Sequence, residues 1–231
     1  MYSILADGNL LWRSDYEGYE VLNPTWEMEL NKAGSLRFTL PPYHPYYGKL
    51  QKLKSTIDLY DGGELLWRGR VLSDDGIDFD GMKTVYCEGA LSFLVDSVVR
   101  PYDWKSSVSD YFTFLVSQHN EQVEKSRQFR VGKCTVTDPN NLIVRANKNY
   151  PDTLSEMEDK LLGLLGGYLT VTFEGGEMVL NYLAKSGDRS EQVITFGDNL
   201  VDITQYIDAS EVYTVIVPIG ATYEVEVTKT V

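Results

Sequence analysis

The chain has no apolar run of about 18 residues or more, so no segment reads as a membrane-spanning helix. Its start, MYSILADGNLLW, lacks the basic residues and long apolar stretch of a secretory signal. Histidine is scarce. His44 and His119 are the only two, neither has Cys or His at ligand spacing, and no HExxH occurs, which argues against zinc. There is no GxSxG, no Walker-type phosphate loop and no GxGxxG, so the common hydrolase and nucleotide signatures are missing. No cofactor is expected. Cysteine is limited to Cys87 and Cys134, expected as free thiols acting as small apolar side chains. A Cys134–His119 pair could meet in space, but such a separation occurs by chance in most chains. Basic residues are also few: 21 Lys and Arg stand against 34 Asp and Glu, a net charge of −13. That surface repels phosphate backbones and anionic lipid, which disfavours specific nucleic-acid binding and membrane adhesion. Carboxylate pairs for glycan hydrolysis leave no sequence signature and stay open.

What is present is aromatic. Tyrosine accounts for 16 of the 231 residues, and aromatics reach 12%. Such residues favour strands and interfaces. The length suits one large β-rich domain or two modest ones.

Three Asp-Gly pairs lie between apolar runs: Asp7-Gly8, Asp61-Gly62 and Asp80-Gly81. Each predicts a hairpin, because a two-residue turn needs positive φ; Gly63 lengthens the second turn by a residue in one variant. Trp26, Met28 and Leu30 alternate with Glu27 and Glu29. Leu36, Phe38 and Leu40 alternate with Arg37 and Thr39. Both predict strands with one apolar face. DGNLLWR (7–13) echoes DGGELLWR (61–68), read as two hairpins of similar chemistry rather than a duplication.

The middle of the chain is helical. Val108, Phe112, Leu115, Val116 and His119 share a helix face, with Ser107 and Asp110 as the cap. A second helix is expected from Thr153, with Glu156 completing a capping box. Its apolar face would carry Leu154, Met157, Leu161, Leu164 and Leu165, with Lys160 exposed and Gly166-Gly167 as the stop. Strands YLTVTF and EMVLNY follow, then QVITF, EVYTVIVPIG and TYEVEVTKTV. A chain that stops within a strand pattern suggests a fragment of a longer protein.

Two surface segments stand out. SDDGIDFDGM (73–82) looks like a calcium loop, but placing Asp78, Asp80 and Gly81 at positions 3, 5 and 6 puts Gly76 at 1 and Cys87 at 12. Both fail, leaving a solvated acidic hairpin. PPYHPYY (41–47) is the candidate interface: Tyr43, His44, Tyr46 and Tyr47 either meet another subunit or a sugar ring, or pin the loop to its own barrel. No catalytic or metal residue is assigned. The fold class expected is α+β, mainly β: barrel-like β domains with a small helix-containing insert. The expected divisions are a first barrel at 1–100, an insert at 101–190 and the start of a second barrel at 191–231.

Several stretches together resemble one family. They are NKAGSLRFTLPPYHPYY (31–47), CEGALSFLVDS (87–97) with RPY (100–102), RQFRVG (127–132), VTDPNN (136–141), LLGGYL (164–169) and DASEVYTVIVPIGA (208–221). They are similar to tail-tip hub proteins of long-tailed phages and prophages, the prophage endopeptidase tail or minor structural protein family, related to the baseplate hubs of contractile-tailed phages. The resemblance implies a homotrimeric ring at the tail tip. It would connect the tail tube or distal tail protein to receptor-binding or tape-measure proteins, with DNA passing through its channel without specific binding. It implies a place in the virion after synthesis in the bacterial cytoplasm. Any lysin or endopeptidase activity would belong to C-terminal modules, and no catalytic residue carries over. The competing readings are a cell-wall hydrolase domain and a carbohydrate-binding module.

Overall fold

The computed structural model describes residues 1–187, 192–200, 202–204 and 215. The chain divides into two compact units, Met1–Gly187 and Asp188–Val231.

The first unit begins with seven strands: β1 (Tyr2–Ala6), β2 (Asn9–Arg13), β3 (Leu22–Glu27), β4 (Ser35–Leu40), β5 (Thr56–Asp61), β6 (Glu64–Ile77) and β7 (Lys83–Gly89). They form one antiparallel sheet in the order β2-β1-β5-β6-β7-β4-β3. Strand β6 holds it together. Its first half pairs with β5 and its second with β7, with register shifts along both ladders. Such shifts add twist and bend the strand. The sheet curls until β1 and β2 face β3 across an apolar slot of about 190 Å³, lined by Tyr2, Ile4, Trp12, Pro24, Trp26, Leu36 and Leu59. No ladder joins β2 to β3, so the result is a half-barrel. Its core draws on Ile4, Leu11, Leu36, Phe38, Leu40, Ile57, Trp67, Val71, Val85 and Cys87.

A 3-10 turn over Ala90–Asp96 carries the chain into a second core. There β8 (Tyr102–Ser106) pairs with β10 (Ile143–Asn147), and β11 (Tyr168–Glu174), β12 (Glu177–Leu183) and β9 (Phe129–Cys134) form a three-stranded sheet in which β9 and β12 are parallel. Helix α1 (Val108–Asn120) packs on them through Val108, Tyr111, Phe112, Leu115, Val116 and His119, and Ser107 Oγ accepts its capping bond from Asp110 N at 3.1 Å. The cap and the buried stripe are those expected.

The second helix departs from expectation. Its N-cap is Asp152, whose Oδ1 accepts from Ser155 N at 2.9 Å; Thr153 is buried instead. α2 (Thr153–Met157) runs into a π turn over Glu158–Leu162 and a last turn over Gly163–Leu165. A π turn inserts a residue per turn and shifts the apolar phase. Leu161 is therefore buried while Leu164 is 59% exposed. Lys160 is half-buried beside Asp159 rather than free in solvent. Glu156 completes no capping box; it is buried beneath Tyr102 and Asn147.

Other differences sit at turns and edges. The second hairpin pairs Asp61 with Glu64, so its turn is Gly62-Gly63, both at positive φ, and not Asp61-Gly62. The third closes Ile77 onto Lys83 through a longer loop. β3 is exposed along its whole length, and Trp26, Met28 and Leu30 are 40, 61 and 56% exposed. A strand with one neighbour and no sheet over it has nowhere to bury a face. β9 ends at Cys134.

The two cores are joined by polar clamps. Asn31, at φ 61°, donates from Nδ2 to Gly167 O (3.2 Å) and accepts on Oδ1 from Leu169 N (2.8 Å). Arg68 reaches Gly176 O at 3.0 Å. Arg127 donates to Leu53 O at 2.5 Å and pairs with Asp96, which also receives Arg70.

In the second unit, QVITF forms no strand; among the described residues an isolated bridge links Phe196 to Leu200 around a turn held by Asn199. The expected strands after residue 205 lie outside the described residues, apart from Val215. No helix among the described residues is long and apolar enough to cross a membrane.

Candidate interaction surface

Residues 41–47 leave β4 at two prolines, which cannot continue a ladder. The loop then winds in successive turns: His44 N to Pro41 O, Tyr47 N to His44 O, and Lys49 N to Tyr46 O, at 2.9–3.1 Å. His44 turns inward and is buried. Its Nε2–H donates to Leu11 O (3.1 Å) and its Nδ1 accepts from Tyr46 N (3.1 Å). That pair of bonds specifies the neutral ring. Burial lowers its pKa, partly offset by the Leu11 carbonyl and the charge of Glu20. Tyr19 meets it edge-on at 5.9 Å, and Tyr46 lies tilted at 6.0 Å.

Tyr46 and Tyr47 are half-buried. Tyr47 Oη donates to Gly81 O at 2.7 Å, while Lys83 Nζ donates to Tyr47 O at 2.5 Å and sits 4.5 Å from the Tyr47 ring centre. Three of the four candidate residues thus anchor the loop to its own half-barrel. Tyr43 is 69% exposed and faces solvent.

The same bonds tie the loop to the crown of the β6–β7 hairpin. Asp78 Oδ1 accepts from Asp80 N (3.0 Å) and Met82 N (2.8 Å), and Asp78 O accepts from Gly81 N (3.0 Å). That oxygen is spent on its own turn, an Asx arrangement. Among the described residues no group of three or more His, Cys, Asp or Glu is placed to hold a metal. Phe79 stands fully exposed on the crown, with Ile77 57% exposed behind it. Phe79 was legible but passed over: an apolar residue inside an acidic turn, DFDG, has no core to enter.

Two further polar clusters centre on buried residues, Ser97–His119 and Glu156. Ser97 Oγ lies 2.7 Å from His119 Nδ1 and 2.7 Å from Thr153 Oγ1, and His119 Nε2–H donates to Arg127 O at 3.0 Å. A serine beside an imidazole is the pairing of a nucleophile and base. Here Ser97 and His119 are 2% and 0% exposed, so no substrate reaches them, and burial lowers the His119 pKa. They lock the end of the 3-10 turn to α1 and α2. Cys134 Sγ faces Val136 O and not His119. Cys87 and Cys134 are both free. Glu156 accepts from Tyr102, Tyr111 and Asn147. Burial first, then its bonds to Glu156 and to Tyr111, raises the Tyr102 phenol.

No family model and no curated protein matches the sequence. Solved structures do match in fold. Prophage tail protein gp18 from Listeria monocytogenes EGD-e superposes with a TM-score of 0.50 at 16% identity, covering 86% of this chain and 56% of that one. A prophage MuSo2 tail protein from Shewanella oneidensis gives 0.48 at 15% identity (78% and 53% covered), and a tail protein from Neisseria meningitidis MC58 gives 0.46 at 15% (78% and 50%). The chain spans about half the length of these proteins. It shares the fold of gp18.

Proposed function

We propose that this chain is a structural piece of a phage or prophage tail. In that reading it is a hub at the tail tip that forms a ring of three copies and joins the tail tube to the host-attachment apparatus. The observation that carries the reading is the fold shared with a prophage tail protein over 86% of this chain. The polar clusters add support, since a buried Ser97–His119 pair holds the fold and is out of reach of a substrate. The division into a first barrel (1–100), an insert (101–190) and the start of a second barrel (191–231) belongs to the same proposal. Two similar barrels per copy give three copies a sixfold outline, the symmetry of a tail tube. The acidic excess suits a channel wall, because carboxylates repel passing DNA phosphates. Distal tail, tail-tube, receptor-binding and tape-measure proteins are the partners this position implies.

The test is the mass and symmetry of the particle. Light scattering across a concentration series, followed by electron microscopy, should give three copies around an axis. A twofold or asymmetric assembly, or a channel lined by Lys and Arg, would end the reading. Reproducible release of peptidoglycan fragments, lost on changing one carboxylate, would favour a cell-wall hydrolase instead.

A further inference from the structure

The crown of the β6–β7 hairpin is built as a knob. Phe79 is the most exposed large apolar side chain among the described residues, with Ile77 two residues before it 57% exposed and Tyr43, in the loop tied to the same crown, 69% exposed. The knob is rigid. Asp78 closes the turn on three backbone donors, and Tyr47 and Lys83 bind the 41–47 loop to it. Pro42 lies against Gly81, where an added Cβ would come within 3.2 Å of its ring. Rigid aromatic side chains in a fixed array are the usual anchors of a protein interface, since little entropy remains to be lost on docking.

The chain also carries a hole. The slot between β1, β2 and β3 is almost wholly apolar and measures about 190 Å³. An apolar cavity of about 150 Å³ accommodates benzene, so a phenyl ring fits. Its rim offers Tyr2 and Trp26, 49 and 40% exposed. Neither β2 nor β3 pairs on its outer edge, so nothing of the described chain covers the slot.

We propose that Phe79 of one copy enters the slot between β1–β2 and β3 of the next copy. Knob and hole are different surfaces, so the contact is heterologous, the kind that closes into rings. The areas agree with a ring better than with a dimer. Two aromatics and an isoleucine bury on the order of 400–500 Å² per side, taking about 150–250 Å² for each ring. One contact therefore reaches only the lower bound of about 1,000 Å² for a stable interface. In a closed ring every copy uses both its knob and its hole, and the contacts support one another. Each copy carries −13, so repulsion opposes the apolar contact and added salt should strengthen it. The inference rests on the ring of copies proposed above.

Cross-linking tests it. In a Cys134→Ser background, with Cys87 buried, Asp80→Cys, exposed next to an intact Phe79, is placed on one preparation and Pro24→Cys on another. On mixing under mild oxidation, the expected result is a mixed disulfide at least tenfold above that of Asp80→Cys with Lys148→Cys, an exposed control far from the slot in sequence. Equal yields overturn the proposal. Phe79→Ser, which removes no intramolecular packing, should abolish the salt-strengthened association of the wild-type chain seen by light scattering. A threefold particle that survives Phe79→Ser and gives no mixed disulfide overturns this contact and leaves the ring standing. A specific disulfide that yields only open chains or pairs keeps the contact and overturns the ring. A wild-type chain that is monomeric at every concentration and salt, with no specific disulfide, overturns both.

Discussion

Two hairpins of this chain are spelled almost alike and are used differently. In DGNLLWR, Leu5 faces Leu10 and Ile4 faces Trp12, so Leu11 is the extra residue of a bulge. In DGGELLWR, Tyr60 faces Leu65 and Leu59 faces Trp67, so Leu66 is the extra residue. The echo is therefore one of geometry, down to the bulge. Burial then diverges. In the first hairpin Leu11 is buried, while Trp12 is half-buried and Arg13 makes an exposed pair with Asp15 at 2.5 Å. In the second, Trp67 is buried, and Arg68 makes a two-bond fork to the buried Asp58 at 2.7 and 2.9 Å. The cause is what lies against each strand. Trp12 and Trp67 each sit where their strand has a single ladder partner, β1 and β5, but only Trp67 is covered by neighbouring backbone, around Gly34, Gly69 and Gly89. The Trp67 indole lies where Gly69 and Gly89 have no side chain: a Cβ on either would come within 2.3 and 2.8 Å of the ring, and that on Gly89 within 1.8 Å of Ala33 O. The same letters give an anchor in one place and a rim in the other.

That contrast can be broken by substitution, most strongly at the tryptophans. Trp67→Ala should cost about 3–5 kcal/mol, as for a fully packed tryptophan, and Trp12→Ala less than half as much. Urea melts of the two variants decide, and equal losses would mean that the backbone packed on Trp67 is not what separates them. A second pair, in the other core, asks the same question of the π turn. Leu161→Ala should cost about 2–5 kcal/mol, while Leu164→Ala should stay within about 0.5 kcal/mol. If Leu164 proves the costlier, the helix phase is wrong. At the arginines, Arg68→Ala strands a buried carboxylate and should cost about 3 kcal/mol, the low end for a broken buried pair. Arg13→Ala should cost no more than about 1 kcal/mol. A thermal shift for Arg13→Ala as large as that for Arg68→Ala would contradict the contrast.

The smallest effect expected is on pH. His44 and His119 are both held neutral, with pKa values lowered mainly by burial. Above the unfolded value near 6.5 neither state is protonated and the histidines add no pH dependence. Below it the unfolded chain takes up protons that the folded chain refuses, so stability falls as the pH drops, until the folded rings titrate in turn. The loss is at most about 1.4 kcal/mol per histidine per pH unit. Denaturant midpoints between pH 7.5 and 5.5 should show it, and the His44→Gln, His119→Gln double variant should flatten the profile. A profile that keeps its slope would assign the effect to other groups.

Much of this was legible in the order of residues. The hairpin at Asp7-Gly8, the inward face of Leu36, Phe38 and Leu40, and the Ser107 cap of α1 all follow from local rules: positive φ in a tight turn, period two, and an orphan amide seeking an oxygen. The misreadings share one origin. Leu164, Trp26 and Met28 were assigned by period to apolar faces and are exposed. A period states that residues share a side, and says nothing about whether anything lies against it. Of the candidate interface, His44, Tyr46 and Tyr47 turned out to brace their own loop. The contacts that hold them, Leu11 O and Gly81 O, are 33 and 34 residues away in sequence.

By itself, then, the sequence determined the mainly β class, the Asp7-Gly8 hairpin turn, the first helix and its cap, and the lack of familiar catalytic signatures. Each depends on residues within one turn or one strand of each other. Only the tertiary structure decided that β3 is an edge, that Trp67 rather than Trp12 is the anchor, that Glu156 and His119 are buried links, and that Phe79 stands free. Those outcomes depend on which elements become neighbours once the sheet curls. Burial is a property of that assembly, and no local pattern encodes it.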